Sequence, residues 1–124
     1  MRLITKGTNF TFSPEIRAYL DRRIEKLDVF IGTDTSALID VEIERLASHA
    51  TGKVYRGEFT VTSAMGKFRA EAHEETPAAA IDVTLGEMLE EMRRTKEKRA
   101  HGERIEGLRL KEFLRGFVFW KRRK

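Results

Sequence analysis

TPAAAIDVTLGEMLEEMRRTKEKR, residues 76–99, is the stretch around which the chain is organised. Ile81, Leu85, Met88, Leu89 and Met92 recur at the i, i+4, i+7, i+8, i+11 spacing of one buried helical face. Past Met92 that face has no apolar member, and Lys96 and Arg99 fall where the stripe would continue. The pattern predicts a helix that packs on a core for about four turns and then overhangs it. Its end carries Arg93, Arg94, Lys96, Lys98 and Arg99 against the single acid Glu97. Cations there suit the helix dipole and a solvated end; they also make a surface for phosphate.

Outward from this stretch, the charge is strongly asymmetric. Residues 1–92 hold 11 basic and 16 acidic side chains, a balance of −5, whereas residues 93–124 hold 13 and 4, a balance of +9. A polyanionic partner is expected, nucleic acid ahead of an anionic membrane surface. A chain of 124 residues points to a modest core. Without cysteine, disulfides, thiolate metal sites and cysteine nucleophiles are excluded. No apolar run approaches the length of a membrane span, and residues 1–10 hold no apolar signal core. The expectation is a soluble, cytoplasmic protein.

Upstream, residues 2–6 read as a short strand, followed by turn chemistry at Gly7, Thr8 and Asn9. Ser13 as N-cap, Pro14 in the first position and Glu15 in the first turn open a helix to about Phe30. Ile16, Leu20, Ile24, Leu27 and Ile31 share its apolar face. Arg22 and Lys26 lie on one flank, Arg23 and Tyr19 nearer the apolar edge, and Arg17 at the opposite edge. Gly32 is expected to end this helix in a left-handed cap.

From Ala37 to Leu46 the period changes to two: Ile39, Val41 and Ile43 face one way, Asp40, Glu42 and Glu44 the other. Residues 54–63 and the segment around Phe68, Ala70 and Ala72 alternate likewise, joined at Ala64–Gly66. Thr76 and Pro77 repeat the chemistry of Ser13 and Pro14. The order is β-α-β-β-β-α. An α+β, two-layer sandwich with two helices on one face of a four-stranded sheet satisfies every apolar face. Its outer sheet face, rich in acids and threonines and without paired aromatics, is a poor platform for RNA bases. RNA binding is therefore expected of the helices.

The expected domain is residues 1–101, followed by a basic amphipathic tail, residues 102–124, with Gly102 and Gly107 loosening the join. In the tail Leu110, Phe113, Leu114, Phe117 and Val118 match helical spacing, and Trp120 precedes KRRK. Three readings stay open: docking on the domain or self-association through residues 108–120, contact with an RNA or ribosomal-protein surface, and a membrane interface.

Catalytic patterns are missing. His49, His73 and His101 have no metal-ligand spacing, and GxGxxG, GxxxxGK[ST] and GxSxG do not occur. The neighbours Glu74–Glu75 and Glu90–Glu91 are no convergent acid–base pair, because adjacent helical side chains diverge by about 100°. No enzyme activity, no metal, no cofactor and no small-molecule substrate are expected.

RLITKGTN, SPEIRAYLDRRIEKLD and AAAID, in that order, resemble the ribosome hibernation-promoting factor and ribosome-associated translation inhibitor family, also known as sigma-factor modulation proteins, in its short form. Arg17, Arg23 and Lys26–Leu27 match that family's first helix. The resemblance covers about residues 2–99. It implies a fold similar to double-stranded-RNA-binding domains. It also implies binding to rRNA of the small ribosomal subunit in the channel for messenger and transfer RNA, which blocks translation and protects idle ribosomes. The rRNA-binding candidates are Arg17, Arg22, Arg23 and Lys26, with Arg93, Arg94, Lys96, Lys98 and Arg99. Thr76 and Ala78 stand where the family usually has Asp and Tyr. Glu87 and Glu90, beside Glu91, stand where it is usually basic. The alternative is a protein-interaction or regulatory module on the same fold that has lost ribosome binding.

Overall fold

The structure is a computed structural model that describes residues 1–47 and 51–108, with side chains through residue 100. The strands are β1 (Arg2–Thr8), β2 (Leu38–Arg45), β3 (Tyr55–Ser63) and β4 (Gly66–Glu74); the helices are α1 (Pro14–Ile24), α2 (Asp28–Ile31) and α3 (Pro77–Leu108). They form the expected α+β arrangement, with one sheet in the order β1-β2-β3-β4. β1 runs parallel to β2, while β2–β3 and β3–β4 are antiparallel. The parallel pair follows from the α1 crossover, and the antiparallel pairs from short connections.

Alternation puts Ile39, Val41 and Ile43 of β2, Phe59 and Val61 of β3, and Phe68, Ala70 and Ala72 of β4 on the buried face. Leu20, Ile24, Leu27 and Ile31 cover it from the first helical region, and Ala80, Ile81, Leu85, Met88 and Met92 from α3. Ile16 and Leu89, expected in the stripes, are only half-buried at its margin. Both helix starts are capped as read: the Ser13 hydroxyl accepts from Ile16 N–H and the Thr76 hydroxyl from Ala79 N–H, each at 3.1 Å.

Several local expectations are corrected. β1 continues through Gly7 and Thr8 because parallel pairing with Ile43 and Glu44 holds them; the chain turns at Asn9, whose φ is 53°. The first helix is not continuous to Phe30. Glu25–Leu27 forms a 3₁₀ turn between α1 and α2, yet Leu27 and Ile31 stay buried. Gly32 is not left-handed: its φ is −60°. A Cβ there would lie 2.6 Å from the Asp28 carbonyl oxygen, so close approach accounts for the glycine. Helix α3 passes through Gly102 and Gly107 to Leu108; a helical glycine costs only about 1 kcal/mol, which charged helix formers beside it offset.

The chain divides into two compact units, Met1–Met92 and Arg93–Lys124. The first contains the sheet, α1, α2 and the start of α3. The described part of the second is the rest of α3. The step in charge balance falls at the same point in the sequence. His49 and the tail residues from Leu110 to Lys124 lie outside the described residues.

Candidate nucleic-acid interface

Two arginines of the outer sheet face, Arg56 and Arg69, are bound up with its acids. Arg56, near the start of β3, has a side chain only 15% exposed and meets four carboxylates: Glu42 at 2.9 Å, Glu44 at 2.8 Å, and Glu58 and Glu71 at 3.2 Å. Arg69 binds Glu58, and Glu71 at 3.4 Å. Burial alone would lower the Arg56 pKa; hydrogen bonds to Glu44, Glu42 and Glu58 outweigh it and raise it far above its ordinary value. The Thr8 hydroxyl donates to Glu42 at 2.7 Å, and this bond, ahead of Arg56, holds Glu42 below its ordinary value against the opposing effect of burial. The exposed large hydrophobic residues among those described are Met1, Ile4, Val29 and Val83, none of them aromatic. Among the described residues the face therefore offers bases no exposed Phe, Tyr or Trp to stack on.

The helices present a different surface. On the first helical region Arg22 and Lys26 are exposed and make no hydrogen bond or ion pair among the described residues. Arg17 is exposed but engaged: its Nε donates to Asp21 at 3.1 Å and its Nη1 reaches the Thr5 hydroxyl at 3.5 Å. Arg23 belongs to a closed ring that joins α1 to α3. Its Nε donates to Asp82 Oδ1 at 3.0 Å and its Nη2 to the Tyr19 hydroxyl at 2.9 Å. The Tyr19 hydroxyl donates in turn to Asp82 Oδ2 at 2.5 Å, and the guanidinium lies 4.4 Å from the Tyr19 ring centroid. The Tyr19 bond and then the Asp82 bond raise the Arg23 pKa above its ordinary value.

Tyr19 and Asp82 are not among the rRNA-binding candidates that the sequence offers. The i, i+4 spacing of Tyr19 and Arg23 was a usable signal. Asp82 lies 63 residues from Tyr19, and nothing local pairs them.

Further along α3, Glu87, Glu90 and Glu91 are all exposed. In the second unit, Arg93 pairs with Glu97 at 2.6 Å, one helical turn away. Arg94 and Lys96 are exposed and engaged; Lys98 and Arg99 are exposed. Among the described residues no group of histidines and carboxylates is placed to hold a metal ion, and no helix is long and apolar enough to cross a membrane.

A two-layer α+β domain with the sheet arginines Arg56 and Arg69 paired to carboxylates and with exposed arginines and lysines on its helices defines a class of small α+β proteins with a polar helix surface. Within it, the sequence matches the profile of the family described as Sigma 54 modulation protein / S30EA ribosomal protein over residues 3–100, and the chain belongs to that family of ribosome-associated modulation proteins. No curated protein sequence matches it significantly. Among solved structures, the fold is similar to the N-terminal domain of Protein Y from Thermus thermophilus (TM-score 0.60, 22% identity, 75% of this chain and 93% of that one). It is also similar to a ribosomal subunit interface protein from Coxiella burnetii (TM-score 0.62, 13% identity, 78% and 99%).

Proposed function

We propose that the protein is a non-catalytic cytoplasmic factor that occupies the messenger and transfer RNA channel of the small ribosomal subunit, inhibiting translation or preserving idle ribosomes. Family membership supports association with the ribosome. The observation that carries the choice of surface is the contrast between its two layers. The sheet arginines Arg56 and Arg69 are committed to carboxylates, and the exposed Lys6 and Lys67 stand on a face rich in acids, whereas Arg22 and Lys26 face solvent unpaired among the described residues. Arg17, Arg22, Arg23 and Lys26 form one proposed group of rRNA contacts; Arg93, Arg94, Lys96, Lys98 and Arg99 form the other. Contacts of this kind hold the phosphate backbone and carry little sequence information.

Cosedimentation with purified small subunits between low and moderate salt tests the reading. Binding weakens steeply as salt rises, because each neutralised phosphate releases counterion. Absence of cosedimentation at low salt rejects it.

The exposed Glu87, Glu90 and Glu91 favour a second reading, a protein-interaction or regulatory module on the same fold. A pull-down dominated by one protein and unchanged by RNase supports that alternative.

A further inference from the structure

Arg23 differs from its neighbours Arg22 and Lys26 in being held. A guanidinium has five N–H donors. Asp82 and Tyr19 use Nε–H and one of the Nη2 donors. The other three, two of them on the Nη1/Nη2 edge, meet no acceptor among the described residues. That edge is the fork that binds two oxygens of a phosphate side by side. The guanidinium carbon lies over the Tyr19 ring, and the side chain remains 38% exposed. Both Asp82 oxygens are occupied, one by Arg23 and one by Tyr19, so each member of the ring fixes the other two.

We propose that Tyr19 and Asp82 are positioning residues that hold Arg23 by its inner edge and present its outer edge as a pre-set phosphate ligand. The inference rests on the reading that this helix surface meets RNA. A free arginine loses side-chain freedom when it grips a phosphate; Arg23 has surrendered much of it already in the unbound protein. Arg22, one residue before, and Lys26, one turn later, supply charge from solvated side chains that are not restrained in this way. Helix α3 thus acts on the α1 cation group through Asp82, whatever the contacts made by its own cations.

The competing account makes Asp82 a simple neutraliser of Arg23, and the two accounts predict opposite signs. Removing a carboxylate raises the net positive charge, so neutralisation alone predicts tighter binding to RNA. Positioning predicts weaker binding.

The experiment uses the full chain and two probes, purified small ribosomal subunits and a synthetic RNA duplex of about 16 base pairs, the span a shape-reading double-stranded-RNA-binding domain covers. Affinity is measured at several salt concentrations, with a thermal melt of every variant. Asp82→Ala and Tyr19→Phe are each expected to weaken binding about tenfold, the effect of losing a hydrogen bond to a charged group. Each is expected to lower the salt slope by up to about 0.9, as Arg23→Ala does. In an Arg23→Ala background neither substitution weakens binding further, an interdependence that a general loss of stability does not produce. Tyr19→Phe keeps the ring and its packing, so it decides the matter if Asp82→Ala melts early. Equal or tighter binding by a folded Asp82→Ala or Tyr19→Phe variant overturns the proposal. If the wild-type chain binds the duplex but not the subunits, the proposed function falls, and the duplex measurements still decide the role of Tyr19 and Asp82. Binding to neither probe overturns both.

Discussion

The Thr84 hydroxyl of α3 donates to the Gly57 carbonyl of β3 at 3.4 Å, and Thr84 is fully buried. Here the helix and sheet layers approach too closely for a side chain on the strand. A Cβ on Gly57 would stand 2.8 Å from the Thr84 hydroxyl and 3.1 Å from the Ala80 carbonyl oxygen. Glycine in a strand interior is otherwise unfavourable, and it marks such an approach.

Gly57→Ala is therefore expected to destabilise the domain by about 1–3 kcal/mol, the range for overpacking. Denaturant unfolding checks this. Thr84→Ala placed on top should return part of the loss, because it removes the nearer obstacle and leaves the Ala80 carbonyl. A Gly57→Ala variant as stable as the wild type would show that the helix can lift away from β3 at no cost.

How legible was this arrangement in the sequence? The faces were. Ile39, Val41 and Ile43 alternate with Asp40, Glu42 and Glu44, and the structure buries the first three. Ser13–Pro14 and Thr76–Pro77 mark both helix starts at the right residues. Alternation assigns a side chain to a face but not to a partner. That Arg56 would sit opposite Glu44, with Glu42 opposite Glu58 beside it, depends on register. Gly57 has no sequence signal of its own, because a glycine shows its reason only when the helix above it is known. The 3₁₀ turn at Glu25–Leu27 was hidden because the apolar spacing of Ile24, Leu27 and Ile31 suits either helix type. Tyr19 and Asp82 meet only because two helices lie side by side on the sheet.

Arg56 carries the outer face of the sheet. Without it, Glu42, Glu44, Glu58 and Glu71 face one another across three strands, partly screened by water. Arg56→Met is expected to cost about 2–3 kcal/mol at pH 7. That is below the effect of breaking a fully buried pair, because the carboxylates stay partly exposed. The deficit shrinks as pH falls and the carboxylates protonate. Melts of both proteins from pH 7 to pH 4 measure it; a deficit that does not change with pH contradicts the mutual repulsion of the four acids.

Acid stability follows from the carboxylates held below their ordinary values. Glu42 is held there by the Thr8 hydroxyl first and Arg56 after it, against burial. Asp34 is held there by the Ser36 hydroxyl first, then by the N–H groups of Ala64 and Ser36, the first of which joins its loop to the β3–β4 turn at 2.7 Å. A group whose folded value is lowered contributes stability that is fully present above its unfolded value, 4.5 for Glu42 and 3.8 for Asp34. That stability is lost as pH falls through the lower folded value. Thr8→Val moves Glu42 back toward its ordinary value. The variant should be about 1–2 kcal/mol less stable at pH 7, and the gap should close at strongly acid pH. A constant gap down to the acid transition would mean that the threonine acts through β1 packing and not through the Glu42 charge.

The last prediction asks which cations meet RNA and whether the acidic turn of α3 stands near it. Arg22 is exposed and unpaired among the described residues, whereas Arg17 already donates to Asp21 and Thr5. Exposed pairs such as Arg17–Asp21 are worth about 0–1 kcal/mol, so Arg17 can be recruited, but only by giving up that contact. Arg22→Ala should lower the salt slope of small-subunit binding by about 0.7–0.9, and Arg17→Ala by less. Glu87, exposed on α3, is the converse probe. If its turn lies against phosphate, Glu87→Lys removes a repulsion and adds a contact, so binding tightens and the slope steepens by about the same amount. An unchanged slope for Glu87→Lys, beside a lowered one for Arg22→Ala, confines the RNA surface of the first unit to α1 and frees the acidic turn of α3 for another partner. If neither substitution changes the slope, the α1–α3 surface of that unit is not where RNA binds.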